Sequence, residues 1–217
     1  MIDTNLLPPI RGAIQQNELG DASPYELSYA RLGASGASFG IFQGDTNVNH
    51  TARATLLNAL QTNQAGAAAI ARIMAAVSQP CPGGDLLSAG DSAAANTALS
   101  CDAGRALVDA MDDILLDIVL GELETSVAAA STCGKTIEAQ ALLYIALWVN
   151  MTGAPDTLNK WLSGRPEVGL APPAGPVVTS QHMQNYLRAN MYFRLHPRNF
   201  VHMQDAVNAA VALLPAA

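Results

Sequence analysis

The chain has 217 residues, of which 50% are apolar and only 5% aromatic, and its formal net charge is −7. A chain of this length buries roughly 70% of its unfolded surface in one domain. A core with so few aromatic residues favours closely packed helices over a sheet. No cluster of lysines and arginines could bind a run of phosphates, which argues against nucleic acid as the main partner. No window has the ~20 uninterrupted apolar residues of a transmembrane helix, so no membrane span is predicted. We predict a single mainly α (α+β) domain over residues 1–217, without cofactor.

The start of the chain predicts a short amphipathic helix that ends in an acid. The prolines at 8–9 suit a first helical turn, where their missing N–H groups are not needed. Spacings of three or four residues place Ile10, Ile14 and Glu18 on one face, and Gly20 follows where a left-handed cap is favoured. Burial and the negative end of the helix dipole both disfavour an ionised carboxylate at Glu18. We therefore expect a raised pKa, as a general acid requires.

The helical period fails between residues 25 and 43. The segment YELSYARL alternates between polar and apolar residues, GASGAS is typical of a turn, and FGIFQ predicts a short apolar strand over 39–43. We therefore expect a small β-hairpin lobe. The following DTNVN begins like a calcium loop but has Leu56 in place of the closing Glu, so Asp45 or Thr46 is expected in the N-cap region of the next helix.

The rest of the chain is predicted to be helical, apart from two loop-rich stretches. Residues 79–100 and the Pro/Gly-rich segment 163–178 have compositions that oppose long periodic structure. Residues 135–149 are apolar nearly all round, as expected of a central helix. The other helices are predicted near 51–60, 65–77, 102–129 and after Pro155, with two closing helices near 180–195 and 199–214.

The helix predicted over 102–129 is the longest and is amphipathic. Three aspartates at i, i+4 spacing, Asp109, Asp113 and Asp117, predict a solvated face rather than a metal site, because no apolar partner shares that face. The predicted buried stripe consists of Leu107, Met111, Ile114, Leu115, Ile118 and Val119.

The three cysteines allow two interpretations. Either Cys81 and Cys101 form a disulfide that closes the loop between them, or all three cysteines are reduced thiols, and Cys133 is expected to be free and packed. No histidine or second cysteine lies at ligand spacing from any of them, so no metal site is predicted. Three further histidines are not spaced as a ligand set on one helix, so we expect them to be surface or packed residues: His182, His196 and His202.

One pattern in the sequence resembles a known superfamily. A helix ends in Glu18, a segment rich in Tyr and Ser follows, and S-F-G-I-F-Q-G-D closes the unit over 38–45. This pattern resembles the lysozyme-like superfamily, most closely the goose-type lysozymes and soluble lytic transglycosylases. In those enzymes a catalytic Glu ends a helix, and a G-[LI]-[MF]-Q strand follows about two dozen residues later. Residues 40–43 match the strand, and Asp45 matches an acid of the goose-type enzymes just after it, whereas Leu19 stands where the transglycosylases usually have Ser.

The resemblance implies a lysozyme-like helical domain that cleaves β-1,4-linked amino-sugar glycans, with peptidoglycan as the first expectation. Glu18 would donate a proton to the glycosidic oxygen. Asp45 would activate water if the two carboxyl groups lie about 6.5–9.5 Å apart; otherwise the hydroxyl or acetamido group of the substrate would attack, as in the lytic transglycosylases. Four further side chains are expected to contact the substrate: Tyr25, Tyr29, Ser38 and Gln43.

Two other functions stay open at this stage. One is the cleavage of chitin or chitosan within the same superfamily, and the other is a helical binding or inhibitory module without turnover. A wall-cleaving enzyme is expected in the cell envelope or outside the cell. The start MIDTNLLPPIRG, however, lacks the basic segment and following apolar run of a signal peptide.

Overall fold

The computed structural model describes residues 2–30, 33–82, 84, 86–153 and 155–215. The described residues are mainly helical, which confirms the predicted α+β class. Within these ranges there are ten α-helices, namely α1 (Leu7–Glu18), α2 (His50–Thr62), α3 (Ala67–Val77), α4 (Ala89–Ser100), α5 (Asp102–Ser131), α6 (Ala139–Thr152), α7 (Asp156–Leu162), α8 (Ser180–Ala189), α9 (Met191–Leu195) and α10 (Pro197–Val211). The strands are β1 (Ser28–Tyr29), β2 (Ala37–Phe39), β3 (Gly44–Asp45), β4 (Thr136–Ile137) and β5 (Val177–Val178). Across the described ranges, no helix combines the length and the apolar character needed to cross a membrane.

The chain divides into two compact units. One combines both ends of the chain, Met1–Gly20 and Leu116–Ala217, and is called the terminal unit below. The other is Asp21–Leu115 and is called the sheet unit. Helix α5 begins in the sheet unit and ends in the terminal unit.

The sheet unit packs a small antiparallel sheet with helices α2, α3, α4 and the beginning of α5. The strand order is β1-β2-β3, and the register pairs Ser28 with Ser38 and Ser38 with Asp45. All three residues of β2 are buried, as expected for the middle strand of a sheet that lies on a core. The core is made of small and aliphatic side chains: Ala37, Phe39, Ala52, Leu56, Ala59, Leu60, Ile73, Val77, Ala95, Ala98, Leu99, Val108 and Met111.

The connection between β2 and β3 is a turn, so the strand predicted over 39–43 is wrong beyond Phe39. Residues 40–43 leave the extended conformation, with φ of 79° at Gly40 and 50° at Gln43. The buried carboxylate of Asp112 accepts hydrogen bonds from the main-chain N–H groups of Ile41 (2.9 Å) and Phe42 (3.5 Å). Because a buried carboxylate needs such donors, the two amides turn toward helix α5 instead of pairing with a neighbouring strand.

Helix α5 buries only part of the predicted stripe: Met111 and Val119 are buried as predicted, and Leu107 and Leu115 are partly buried. Ile114 and Ile118 are 50% and 60% exposed, while Asp112 and Ser126 are buried. The buried positions follow spacings of three or four residues that begin at Gly104. The prediction is wrong at Ile114 and Ile118 because apolar character alone chose the members of the stripe, whereas Asp112 is buried as a hydrogen-bond acceptor. Asp113 and Asp117 are exposed, and Asp109 accepts a hydrogen bond from Tyr25.

Helix α4 occupies the second half of a stretch that was predicted to be loop-rich, so that prediction is wrong over Ala89–Ser100. The Ser88 hydroxyl accepts a hydrogen bond from the Asp91 N–H at 3.1 Å and caps the helix. Asp91 also places a negative charge in the first turn, where the helix dipole favours it. The Ser and Gly residues that contributed to the loop prediction in this half of the stretch therefore belong to a cap and to the small side chains of a packed helix.

All three cysteines are free thiols, which is one of the two states that the sequence allowed. Cys81 is buried, and its thiol donates to the main-chain oxygen of Gln79 at 3.4 Å. Cys133 is exposed rather than packed, so that expectation is wrong.

In the terminal unit, helix α6 is buried on every side. All residues from 141 to 149 are buried, as the apolar run predicted. Helices α1, α8 and α10 each pack against α6, and α1 also packs against α10. Strands β4 and β5 form a short parallel pair that joins the segment before α6 to the segment before α8.

Three helices follow the Pro/Gly-rich segment where two were expected. Helix α8 ends at Ala189, and Asn190 then caps α9, because its side-chain oxygen accepts a hydrogen bond from the Tyr192 N–H at 2.9 Å. The proline at 197 begins α10, in the first-turn position that tolerates it. An asparagine in extended conformation thus divides the stretch that was predicted as one helix over 180–195.

The turn at Gly40 gives the first testable prediction. A Cβ at this position would lie 2.5 Å from both Asp112 Oδ1 and Met111 Cε, and the backbone has a positive φ. Strain and overpacking each cost roughly 1–3 kcal/mol, so we expect Gly40→Ala to lower the free energy of unfolding by about 3 kcal/mol in chemical denaturation. Gly33→Ala is the matched control in the same unit, because Gly33 has a φ of 53° but no atom near its Cβ position. That substitution should cost only about 1 kcal/mol, and equal losses for the two variants would contradict the prediction.

Candidate functional site

Glu18 is the last residue of helix α1, as predicted. Ile10 and Ile14 on the same stripe are fully buried, and the Glu18 side chain is partly buried. Gly20 adopts a φ of 55°, which confirms the left-handed residue expected after the helix. The local sequence therefore fixes where the carboxyl group leaves the helix, at the edge of the apolar face.

The Glu18 carboxyl group is held by two amide side chains. The Nδ2 groups of Asn17 and Asn150 both donate to Oε1, at 3.1 and 3.0 Å. The other oxygen, Oε2, has no hydrogen bond with any described residue. Because both donors meet at one oxygen, a proton on this carboxyl group is favoured on Oε2, the oxygen that accepts no N–H group.

Burial raises the pKa of the Glu18 carboxyl above its ordinary value. The hydrogen bonds from Asn17 and Asn150 and the charge of His202 act in the opposite direction and offset only part of the rise. This is the direction that the sequence predicted, and desolvation is the main cause.

A cavity of about 230 Å³ opens beside Glu18 within the terminal unit. Its walls come from helices α1, α6, α9 and α10. It is somewhat smaller than the 300–1,000 Å³ pockets of drug-sized ligands, so it suits one ring-sized group rather than a whole oligomer. The lining residues are Asn17, Glu18, Met151, Tyr192, Asn199 and His202.

The polar groups of this cavity hold one another in place. The Nε2 of His202 lies 2.9 Å from the main-chain oxygen of Asn17 and donates to it, since a carbonyl oxygen only accepts. The Asn199 amide donates to the Tyr192 hydroxyl at 2.7 Å. A ligand in the cavity would thus meet an acid, an imidazole, an amide and a phenol, which is a set of groups suited to a polar, uncharged molecule.

Sequence reasoning identified Glu18 but missed the residues that surround it. Asn150 follows the apolar run of helix α6, and Asn199 and His202 are three residues apart on α10. The sequence therefore showed that these are polar positions on predicted helices. What the sequence did not reveal is that α1, α6 and α10 pack together. His202 is exposed, as expected of a surface histidine, and it also borders the cavity.

The other predicted site residues all belong to the sheet unit: Tyr25, Tyr29, Ser38, Gln43 and Asp45. The Tyr25 hydroxyl donates to Asp109 at 2.9 Å, and burial, followed by this hydrogen bond, raises the pKa of Tyr25. Ser38 is 7% exposed in the middle strand, opposite Ser28. Gln43 donates to the Gly40 main-chain oxygen at 3.1 Å and accepts from the Ser28 hydroxyl. The sheet therefore brings Ser38, Gln43 and Asp45 close together.

Asp45 organises the loop that follows the sheet. Both carboxylate oxygens accept the Gly36 N–H at 3.1 Å, and Oδ1 also accepts the Asn47 N–H at 2.8 Å. A carboxylate has about four acceptor positions, so this arrangement leaves room for a further donor such as water. The N-cap of helix α2 is Asn49 rather than Asp45 or Thr46, because its side chain accepts the Ala52 N–H.

No protein-family model, curated protein or solved structure matches this chain. Within the described ranges, no three or more His, Cys, Asp or Glu side chains are grouped so that they could hold a metal ion. The function therefore has to be inferred from the geometry of its own side chains.

The raised pKa of Glu18 predicts a pH-dependent stability difference between the wild type and Glu18→Gln. The folded protein keeps the Glu18 proton at pH values at which the unfolded chain has released it. Wild-type stability therefore falls as the pH rises from the ordinary pKa of Glu through the raised pKa, whereas the variant has no such proton. We expect equal or lower melting temperatures for the variant in acid and a growing advantage toward neutral pH. Thermal melts between about pH 4 and pH 8 measure this difference.

Glu26→Gln is the matched control, because Glu26 is exposed. Its melting temperature should follow that of the wild type at every pH. A Glu18→Gln advantage that is constant with pH, or that shrinks toward neutral pH, would contradict the raised pKa.

Proposed function

We propose that this protein is a glycosidase that cleaves β-1,4-linked amino-sugar glycans, with peptidoglycan as its first candidate substrate. The observation that carries the proposal is Glu18, whose carboxyl group lines a ring-sized polar cavity in which burial raises its pKa. The residue pattern over 18–45, which resembles the lysozyme-like superfamily, supports the same chemistry.

Glu18 acts in this proposal as the general acid. Cleavage of a glycosidic bond requires a proton on the leaving oxygen, and a carboxyl group with a raised pKa holds its proton to a higher pH than an ordinary Glu does. The amide groups of Asn17 and Asn150 fix Oε1. Oε2 then carries the proton toward a bound sugar, and Tyr192, Asn199 and His202 offer hydrogen bonds to ring substituents.

Two routes complete the reaction. In the first, Asp45 activates a water molecule, which requires its carboxyl group to lie about 6.5–9.5 Å from that of Glu18. Its carboxylate keeps acceptor capacity for that water beyond the Gly36 and Asn47 amides. In the second, the hydroxyl or acetamido group of the substrate attacks, and Asp45 keeps only its role in the loop. Tyr25, Tyr29, Ser38 and Gln43 are proposed as glycan contacts in both routes, and a wall substrate implies action in the cell envelope or outside the cell.

Glu18→Gln tests the proposed acid. We expect turnover of purified peptidoglycan to fall by about 10²–10⁴-fold, because the amide cannot donate a proton to the leaving oxygen. Release of soluble fragments measures turnover, and a melting curve checks that the variant is folded. Glu26→Gln should keep wild-type activity. Wild-type turnover by Glu18→Gln would remove Glu18 from the mechanism.

The same assay separates the alternatives. Fragments that contain a hydrolysed end differ by one water from anhydro fragments, so an anhydro mass identifies ring closure by a hydroxyl of the substrate in place of attack by water. Activity on soluble chitin or chitosan, without activity on peptidoglycan, would identify a different amino-sugar glycan. Binding to a glycan without turnover of any of them would identify a binding module and overturn the proposed enzyme.

Asn150→Ala tests the environment of the acid. The Asn150 amide stabilises the ionised form of Glu18 and lowers its pKa, so its removal should raise the pKa further. We expect the alkaline limb of the kcat/KM–pH profile to move to higher pH. Asn199→Ala is the control, because Asn199 lines the cavity but has no hydrogen bond with Glu18. An unmoved or acid-shifted limb in Asn150→Ala would contradict the assignment.

A further inference from the structure

A second cavity lies on the last three helices of the chain. Its volume is about 380 Å³, larger than the cavity beside Glu18. Pro197, Val201 and Gln204 line it from α10, whereas Asn199 and His202 of the same helix line the Glu18 cavity. At 100° per residue, these two sets lie on opposite sides of α10. The remaining lining residues are Arg188, Phe193, Arg194 and Phe200.

The charges around this cavity differ from those of the chain as a whole. The chain carries a net charge of −7, but residues from 180 onward contain three arginines and a single acid, Asp205. Arg188 and Arg194 are exposed, and neither has a hydrogen bond or ion pair with any described residue. By contrast, Arg72 of the sheet unit is paired with Asp91 at 2.9 Å. Two guanidinium groups at one cavity thus keep all their donors available for a ligand.

The floor of the cavity is apolar and ordered. Phe193 and Phe200 are almost fully buried, and their rings meet edge to face with centroids 5.6 Å apart. The Arg188 guanidinium lies 4.9 Å from the Phe200 ring centroid, within the range of a cation–π contact, so its position is fixed. Val201 is 55% exposed and forms part of the rim. A ligand in this cavity would therefore contact the charged arginine side chains at the rim and the phenylalanine rings at the floor.

We propose that this cavity binds an organic carboxylate with an apolar body, such as an N-acylated apolar amino acid. The guanidinium fork matches a carboxylate in a bidentate manner, and the phenylalanine floor accepts the hydrocarbon part. The volume lies within the range of pockets for such molecules. The site does not depend on the proposed glycosidase activity, because it uses none of the residues around Glu18.

Calorimetric titration with N-acetyl-L-phenylalanine tests the proposal, using the full chain. We expect saturable binding that N-acetyl-L-phenylalanine amide and inorganic phosphate do not reproduce, because the first lacks the charge and the second lacks the apolar body. Arg194→Gln should weaken binding at least tenfold. Arg198→Gln is the matched control and should bind as the wild type does, since this exposed arginine of α10 lies outside the cavity lining.

A second variant keeps the test independent of any folding defect. Val201→Glu places a carboxylate at an exposed rim position beside the arginines and should abolish binding without a change in the melting temperature. Glu18→Gln should bind as tightly as the wild type, which separates this site from the catalytic proposal. Equal weakening by Arg194→Gln and Arg198→Gln, equal affinity for phosphate, or no binding of the acylated amino acid would each overturn the proposal.

Discussion

The burial of helix α6 on all sides is the constraint on which the terminal unit depends. A helix that is apolar all round must be covered by other helices, and α1, α8 and α10 pack against it. Its buried run ends at Val149, and Asn150 is the first polar residue beyond it. The end of α1 reaches the same place, so the Glu18 carboxyl and the Asn150 amide meet there. Core packing thus brings the acid of helix α1 to its hydrogen-bond partner on α6.

One buried acid, Asp112, and one partly buried acid, Glu18, differ in how their carboxyl groups are held. In the sheet unit, Asp112 is fully buried and accepts main-chain amides from Ile41 and Phe42, so its carboxylate fixes the turn between β2 and β3. In the terminal unit, Glu18 receives two side-chain amides on one oxygen and none on the other. The first arrangement satisfies a carboxylate that serves the fold. The second leaves one oxygen without an amide donor on a side chain that lines a cavity, and such an oxygen can carry a proton.

Helices α8, α9 and α10 contribute to two different cavities. One side of α10 presents Asn199 and His202 to a polar cavity, and the other presents Pro197 and Val201 to the cavity of the two arginines. The buried residues of α10 anchor the helix in the core, so the two sets of lining residues keep their positions on opposite sides of it. The low acid content of this segment matters because it leaves the guanidinium groups without internal carboxylate partners.

The sequence alone determined the features that depend on local periodicity and capping. These are the mainly helical class, the end of α1 at Glu18 with Gly20 after it, and the buried helix α6. The turn at 40–43, by contrast, was predicted as a strand, because the acceptor that bends it is Asp112, about seventy residues away. Helix α4 was missed because small residues are typical of loops unless a core packs against them. The residues that surround Glu18 come from α6, α9 and α10, and only tertiary packing decided which of their polar residues line the cavity. Periodicity in a sequence predicts which face of a helix is buried, but it does not predict which other helix packs against that face.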